Sequence, residues 1–161
     1  MNYKFANSLG DFINTQKLLS NLELDYPSFN SWFWNKVIPN LNESSLFDIG
    51  TKIILLENKQ ELVGVSIIKR SINENKLCAL RVIDKHQSKG LGIRLLDKSL
   101  KELNCDKPLC SVSQTMVNDY SRIFINRYNF DLTYVYKDLY KKQKLEYEVN
   151  GSKSLNIKTE Y

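Results

Sequence analysis

The residues best suited to chemistry stand six in a row, Gln87-Ser88-Lys89-Gly90-Leu91-Gly92, with two glycines one residue apart. Glycine lets a ligand come close to the main chain. Leu91, Leu95, Leu96, Leu100 and Leu103 follow at helical spacing, so the run opens a helix. A helix start presents unpaired N–H groups and the positive end of the macrodipole, which together hold an anion, most often a phosphate. Just before it, residues 77–83 are a short apolar stretch containing Val82 and Ile83, which reads as a buried strand. The expected order is therefore strand, glycine-bearing turn, helix. The spacing fits neither G-x-x-x-x-G-K-[ST] nor G-x-G-x-x-G. An ordinary strand-to-helix turn is the plain alternative.

What remains is Q-x-x-G-x-G, with its glutamine five residues after Val82. This segment resembles motif A of the GCN5-related N-acetyltransferase (GNAT) superfamily, [QR]-x-x-G-x-[GA] after a strand ending L-x-V. Leu80-Arg81-Val82 supplies that ending. The resemblance implies that the loop of Gln87, Ser88, Lys89, Gly90, Leu91, Gly92 and Ile93 holds the pyrophosphate of coenzyme A. It also implies that main-chain groups at Leu80 and Val82 pair with pantetheine, the Leu80 N–H polarising the acetyl carbonyl. Preorganised donors of that kind stabilise a developing oxyanion.

A second constellation, VNDYSRIFINRYNF, covers residues 117–130. It resembles the family's N-x-x-A-R-x-x-Y-x-x-x-G-F, matching at Asn118, Arg122 and Phe130. By that resemblance Asn118 and Arg122 flank the coenzyme. Ser121 stands in place of alanine and Asn129 in place of glycine; asparagine tolerates the left-handed conformation that a helix-ending glycine adopts. Ile125 stands in place of the tyrosine that protonates the leaving thiolate, and isoleucine has no proton to give. With regular helical winding, residues four before and three after lie on the same face. That makes Ser121 and Tyr128 the candidate acids, Ser121 by direction and Tyr128 by its pKa near 10. A small packing residue and a core aromatic are the plainer readings of the two. No general base stands out. Glu57 and Glu74 lie near in sequence and read more simply as solvated charges. Cys78, without a histidine partner, reads as a buried small hydrophobe rather than an acyl carrier. His86 reads as a loop residue.

The remaining elements must position these groups. Residues 3–7 suggest a first strand, and Ser8 or Asp11 caps a helix through about residue 20. Pro27 opens a second helical segment that Pro39 ends. Phe29, Trp32, Phe33, Trp34 and Val37 in it pack on a sheet or line an acceptor groove. Residues 52–57 and 61–69 form a hairpin through Asn58-Lys59-Gln60. After the loop helix come a strand at 109–113, a helix at 117–127, and strands at 130–139 and 145–149. The expected fold is α/β (α+β): one GNAT-like domain over 1–151, followed by a polar tail at 152–161. Its central sheet is mixed, mostly antiparallel, flanked by helices, and splayed between the strands before and after the coenzyme-binding helix.

At 161 residues and 42% hydrophobic content, one domain with one core is expected. No apolar run reaches the roughly 18 residues of a membrane span, and no signal-peptide layout is seen at the start. Cys78, Cys105 and Cys110, with one histidine, show neither metal-ligand spacing nor a disulfide framework. Reduced thiols suit a cytoplasmic protein. The net charge of +5 suits solubility and also an anionic partner. The run Lys137, Lys141, Lys142 and Lys144 reads as a solvated edge rather than a nucleic-acid surface.

The resemblance implies direct transfer of an acetyl group from acetyl-CoA, as cosubstrate, to an amine in a ternary complex, a mechanism that calls on no metal. The acceptor classes it offers are small amines, protein amines and aminoacyl-tRNA. Dimerisation is common among relatives. The alternative reading, motivated by Ile125, is an acyl-CoA-binding protein without activity.

Overall fold

The computed structural model describes residues 1–44 and 49–151; the polar tail expected at 152–161 lies outside the described residues. Among the described residues, seven strands form two sheets. β1 (Asn2–Phe5), β2 (Gly50–Asn58), β3 (Glu61–Arg70) and β4 (Asn75–Val82) are joined in that order, all antiparallel. β5 (Cys110–Ser113), β6 (Leu132–Lys137) and β7 (Leu145–Val149) form the second sheet, with β7 in the centre. The helices are α1 (Leu9–Leu18), α2 (Phe29–Trp32), α3 (Leu91–Leu103) and α4 (Val117–Ser121).

Local chemistry explains several of these boundaries. Ser8 caps α1 by accepting from the Asp11 N–H at 3.1 Å. The β2–β3 hairpin turns tightly because Lys59 and Gln60 both take positive φ, 48° and 68°, the geometry that matches strand twist. Asn104, at φ 48°, ends α3 as a left-handed cap.

Alternation along β2 and β3 feeds two cores. Ile53, Leu55, Val65 and Ile67 pack with Leu19, Phe29, Phe33 and Val37 from the α1–α2 side. Ile54, Leu56, Ile68, Leu77 and Val82 pack with Leu91, Leu95, Leu96 and Leu103 of α3 and with Phe124 and Phe130. The aromatics around α2 are thus divided. Phe29 and Phe33 are core, whereas Trp34 is 36% exposed and meets Phe33 edge-on at 5.1 Å.

α3 lies close to β3 at Gly64. A Cβ there would meet Arg81 O and Leu95 Cδ2, both at 3.3 Å. Two buried serines, Ser66 of β3 and Ser99 of α3, join across this contact at 2.7 Å.

Winding departs from the expected regular helix in two places. α2 continues as a π-helical turn over Phe33–Val37 and a 3₁₀ turn over Ile38–Asn40. α4 continues as a π-helical stretch over Arg122–Arg127. There the Phe124 carbonyl accepts from Phe130 N at 2.8 Å and the Ile123 carbonyl from Tyr128 N at 3.3 Å. The three-residue step from Ile125 to Tyr128 therefore no longer marks one face, since it falls within the wider turn.

Among the described residues the two sheets are joined by one bridge. Leu109 donates to the Asn75 carbonyl at 2.8 Å, and Leu77 donates to the Leu109 carbonyl at 2.9 Å. The bridge is parallel, as a crossover through α3 requires. Among the described residues β4 and β5 pair no further, so the C-terminal end of β4 opens away from β5.

Candidate active site

The loop from β4 to α3 presents its main chain outward. Ser88 and Gly90 take positive φ, 61° and 75°. A Cβ built at Gly90 or Gly92 would meet nothing within 4 Å. The first helical bond runs from Arg94 N to Gly90 O at 3.1 Å. The N–H groups of Leu91, Gly92 and Ile93 therefore precede the helix's own ladder, at the positive end of a thirteen-residue helix. Ser88 and Lys89 are exposed beside them. The Gln87 side chain turns back instead, donating to Val82 O at 2.8 Å and to Asp84 Oδ1 at 3.1 Å. It fastens the loop to the end of β4.

β4 carries a register shift that matters here. Leu77 faces Ile68 and Ala79 faces Ile67, so Cys78 is an extra residue, a bulge. Beyond it the alternation changes phase. Ile83 N–H donates to Val63 O at 3.0 Å, toward β3. By alternation Val82 and Leu80 turn the other way, into the opening beside β5. The carbonyl of Val82, taken by Gln87, confirms that direction. Without the bulge, Leu77 and Leu80 would have opposite phases and Leu80 would bond to β3. Cys78 itself packs with the α1–α2 core, and burial pushes its thiol up to about 11.

Across the opening, Asn118 and Arg122 are exposed on the α4 segment. Ser121 and Ile125 both line an apolar cavity of about 90 Å³, together with Val112, Phe124, Tyr147 and Val149. The Ser121 hydroxyl donates to its own helix at Asn118 O, 3.2 Å away. Tyr128 points elsewhere. Its hydroxyl donates to Asp97 Oδ1 on α3 at 2.6 Å, and burial together with that carboxylate pushes it up to about 12.

The two carboxylates suggested by sequence position are engaged at a distance from the opening. Glu57 pairs with Lys4 at 3.2 Å on β1, and Glu74 lies in the β3–β4 turn, 3.9 Å from Lys69. That turn is at the end of β4 where the sheets are joined. A carboxylate that sequence reasoning missed is Glu146 of β7. It is 4% exposed, stands opposite Ser113 at the end of β5, and accepts from the Tyr26 hydroxyl at 2.7 Å. Burial raises its pKa above the usual carboxylate range. Nearby, Asp25 Oδ2 accepts from Thr115 Oγ1 at 2.9 Å and Ser113 Oγ at 3.2 Å. The signal was the pattern L-E-Y-E-V: alternation puts Glu146 and Glu148 on one face, and a central strand has no solvated edge for them.

The family model for the acetyltransferase (GNAT) domain matches residues 30–153. The chain belongs to the GNAT family. Solved GNAT structures share the fold along nearly its whole length. A GNAT-family protein from Desulfovibrio desulfuricans superposes with a TM-score of 0.68 at 12% identity, over 92% of this chain and 96% of that one. A GNAT acetyltransferase from Elizabethkingia anophelis, with acetyl-CoA bound, gives 0.63 at 13% identity, over 92% and 95%. The ribosomal-protein-S18-alanine N-acetyltransferase from Escherichia coli gives 0.64 at 14%, over 99% of each chain. No curated protein matches in sequence. The expected α/β architecture, splayed after β4, is thus the GNAT fold. Among the described residues of this GNAT chain, no helix is long and apolar enough to cross a membrane. Nor does any group of three or more His, Cys, Asp and Glu residues form a metal-holding set there.

Proposed function

We propose that this GNAT protein transfers an acetyl group from acetyl-CoA to an amine, by direct attack within a ternary complex. One observation carries the reading. The outward main-chain edge of Leu80 and Val82, turned into the gap between β4 and β5, leads through the β4–α3 loop to the open N-terminus of α3. N–H donors along a strand edge, followed by a helix N-terminus, fit a pantetheine chain that ends in a pyrophosphate. Ser88 to Ile93 hold the pyrophosphate, and Lys89 adds a mobile positive charge. Leu80 N–H polarises the thioester carbonyl. Asn118 and Arg122 close the other side. Holding both reactants makes the encounter nearly unimolecular.

Of the two candidate acids, Ser121 is the one beside Ile125 at the cavity, and we assign it the proton delivered to the leaving thiolate, directly or through a water. Tyr128, committed to Asp97, ties two helices together. A second reading, acyl-CoA binding without turnover, draws on Ile125 in the position of the usual tyrosine. The acceptor is a small amine, a protein amine or an aminoacyl-tRNA, and the protein works alone or as a homodimer in the cytoplasm.

Calorimetric titration with acetyl-CoA at two salt concentrations tests the coenzyme site. Low-micromolar binding that weakens with salt is expected. Absence of binding sinks the reading, and binding without turnover on a broad panel of amines selects the second one.

A further inference from the structure

We propose that Glu146 takes the proton from the acceptor amine, with Tyr26 positioning its carboxylate. The inference rests on the acetyl-transfer reading above and goes beyond it by naming a base.

Place comes first. Glu146 is opposite Ser113, the last residue of β5, so it stands at the end where β5 has parted from β4. Its strand neighbour Tyr147 lines the cavity under α4. By alternation Glu146 therefore faces the opposite side, toward the segment between α1 and α2. The bond from Tyr26, 120 residues away in sequence, confirms this. An acceptor entering on that side meets a thioester held along β4 from the other. A small recess there is lined by Asp25, Ser113, Thr115, Tyr140 and Glu146. Glu57 and Glu74 have no such position.

Surroundings come next. Tyr26 and Asp25 face Glu146 from the α1–α2 segment, Lys76 from β4, and Tyr140, Lys141 and Lys144 from the β6–β7 loop. Lys141 is occupied, donating to Leu24 O, and Tyr140 meets Tyr26 edge-on at 5.2 Å. Burial disfavours the charged form of Glu146, while the Tyr26 hydroxyl favours it. The carboxylate thus binds a proton more readily than an exposed glutamate, as a base for an ammonium requires.

The step balances. The acceptor ammonium gives one proton to Glu146, which later passes it to water. The freed nitrogen lone pair forms the C–N bond at the thioester carbon. The C–S bond breaks with its electron pair going to sulfur, which takes the Ser121 proton, and the second nitrogen proton restores the Ser121 hydroxyl. One proton is released overall.

The test compares the native chain with Glu146→Gln and Tyr26→Phe, using acetyl-CoA with a polyamine, an aminoglycoside and a dipeptide amide as acceptors. Hydrolysis of acetyl-CoA is followed in parallel, with water as the acceptor. Glu146→Gln keeps the shape and can still accept from Tyr26. It should leave the acetyl-CoA Kd within twofold and lower turnover at pH 7 at least 100-fold. Tyr26→Phe removes a bond that favours the ionised form, so the acid limb of the pH–rate profile should move to higher pH with kcat on the plateau largely retained. A merely structural Tyr26 would lower the rate without moving the limb. Glu146→Gln turnover within fivefold of native overturns the proposal. So does acetyl-CoA binding with neither amine nor water acetylated. An unmoved limb in Tyr26→Phe removes the positioning role, and still decides the matter if Glu146→Gln fails to fold. Loss of acetyl-CoA binding in the native chain is a different failure, that of the coenzyme site.

Discussion

The Tyr128 hydroxyl donates to Asp97 Oδ1 at 2.6 Å, tying the end of the α4 segment to the second turn of α3. Both helices border the proposed coenzyme path, so this bond sets the width between them. Burial, and then the Asp97 carboxylate, hold Tyr128 protonated up to about 12. A hydroxyl already donating to a carboxylate, and held that high, is a poor donor to a thiolate. Tyr128→Phe should therefore lower stability by about 1 kcal/mol and leave turnover within threefold. Ser121→Ala should lower turnover more steeply, with acetyl-CoA binding retained. Urea unfolding and steady-state kinetics on the two variants separate these effects, and a steep loss of turnover in Tyr128→Phe alone would reverse the assignment.

A carboxylate at the start of α3 should oppose a bound pyrophosphate. Gly92 is the cleaner position, since its Cβ would enter open space and its φ is ordinary. Gly92→Glu should weaken acetyl-CoA binding at least 100-fold while the Tm moves by only a few degrees. Gly90→Asp should weaken it similarly and cost some stability besides, because Gly90 sits at φ 75°. Calorimetry beside thermal melts decides it; unchanged affinity in Gly92→Glu would remove the anion site.

The strand, glycine-bearing turn and helix from β4 to α3 were legible from sequence because they are local. Strand, turn residues and helix period lie within about thirty residues, and each follows from short-range chemistry. The hairpin was legible for the same reason, although its turn uses Lys59 and Gln60 where glycine or asparagine would be expected. What escaped depends on distant partners. The bulge at Cys78 appears only once β3 is laid beside β4. The π winding after Ser121 answers to packing of Phe124 and Phe130 in the core rather than to helix propensity. It also undoes the three-residue spacing by which Tyr128 was set beside Ile125, while Ser121, four residues before, still lines one cavity with Ile125. Glu146 looks like a surface charge until β7 takes the middle of its sheet and Tyr26 reaches it from the other end of the chain.

Cys78 and Cys110 should be slow to alkylate. Burial pushes their thiols up to about 11 and about 12. At pH 8 the reactive thiolate of Cys78 is then roughly 100-fold scarcer than in an ordinary cysteine. Iodoacetamide labelling followed by mass spectrometry should modify both far more slowly in the native chain than in urea. The sign for stability follows from the same shift. A thiol with a raised folded value contributes fully below its unfolded value, and the contribution is lost as pH climbs through the folded one. Stability should thus decline from about pH 9 upward. Rapid native labelling of Cys78 at pH 8 would revive its role as an acyl carrier.

The serine pair between β3 and α3 has a direction, and the direction makes a prediction. Ser99 Oγ donates to Leu95 O at 2.8 Å, which uses its one hydrogen. In the 2.7 Å contact with Ser66, the donor must therefore be Ser66. Both residues are fully buried. Ser99→Ala strands the Ser66 hydroxyl and should cost about 1–3 kcal/mol, whereas Ser66→Ala leaves Ser99 bonded to Leu95 and should cost about 1 kcal/mol or less. Removing both leaves no orphan, so the double variant should be less destabilised than the sum of the two. Urea unfolding of the three variants tests this, and a larger cost for Ser66→Ala would reverse the donor assignment. Because this contact seats α3 on β3 beside Gly64, the same variants should also weaken acetyl-CoA binding in the order of their stability losses, through movement of the helix start rather than loss of any group that touches the coenzyme.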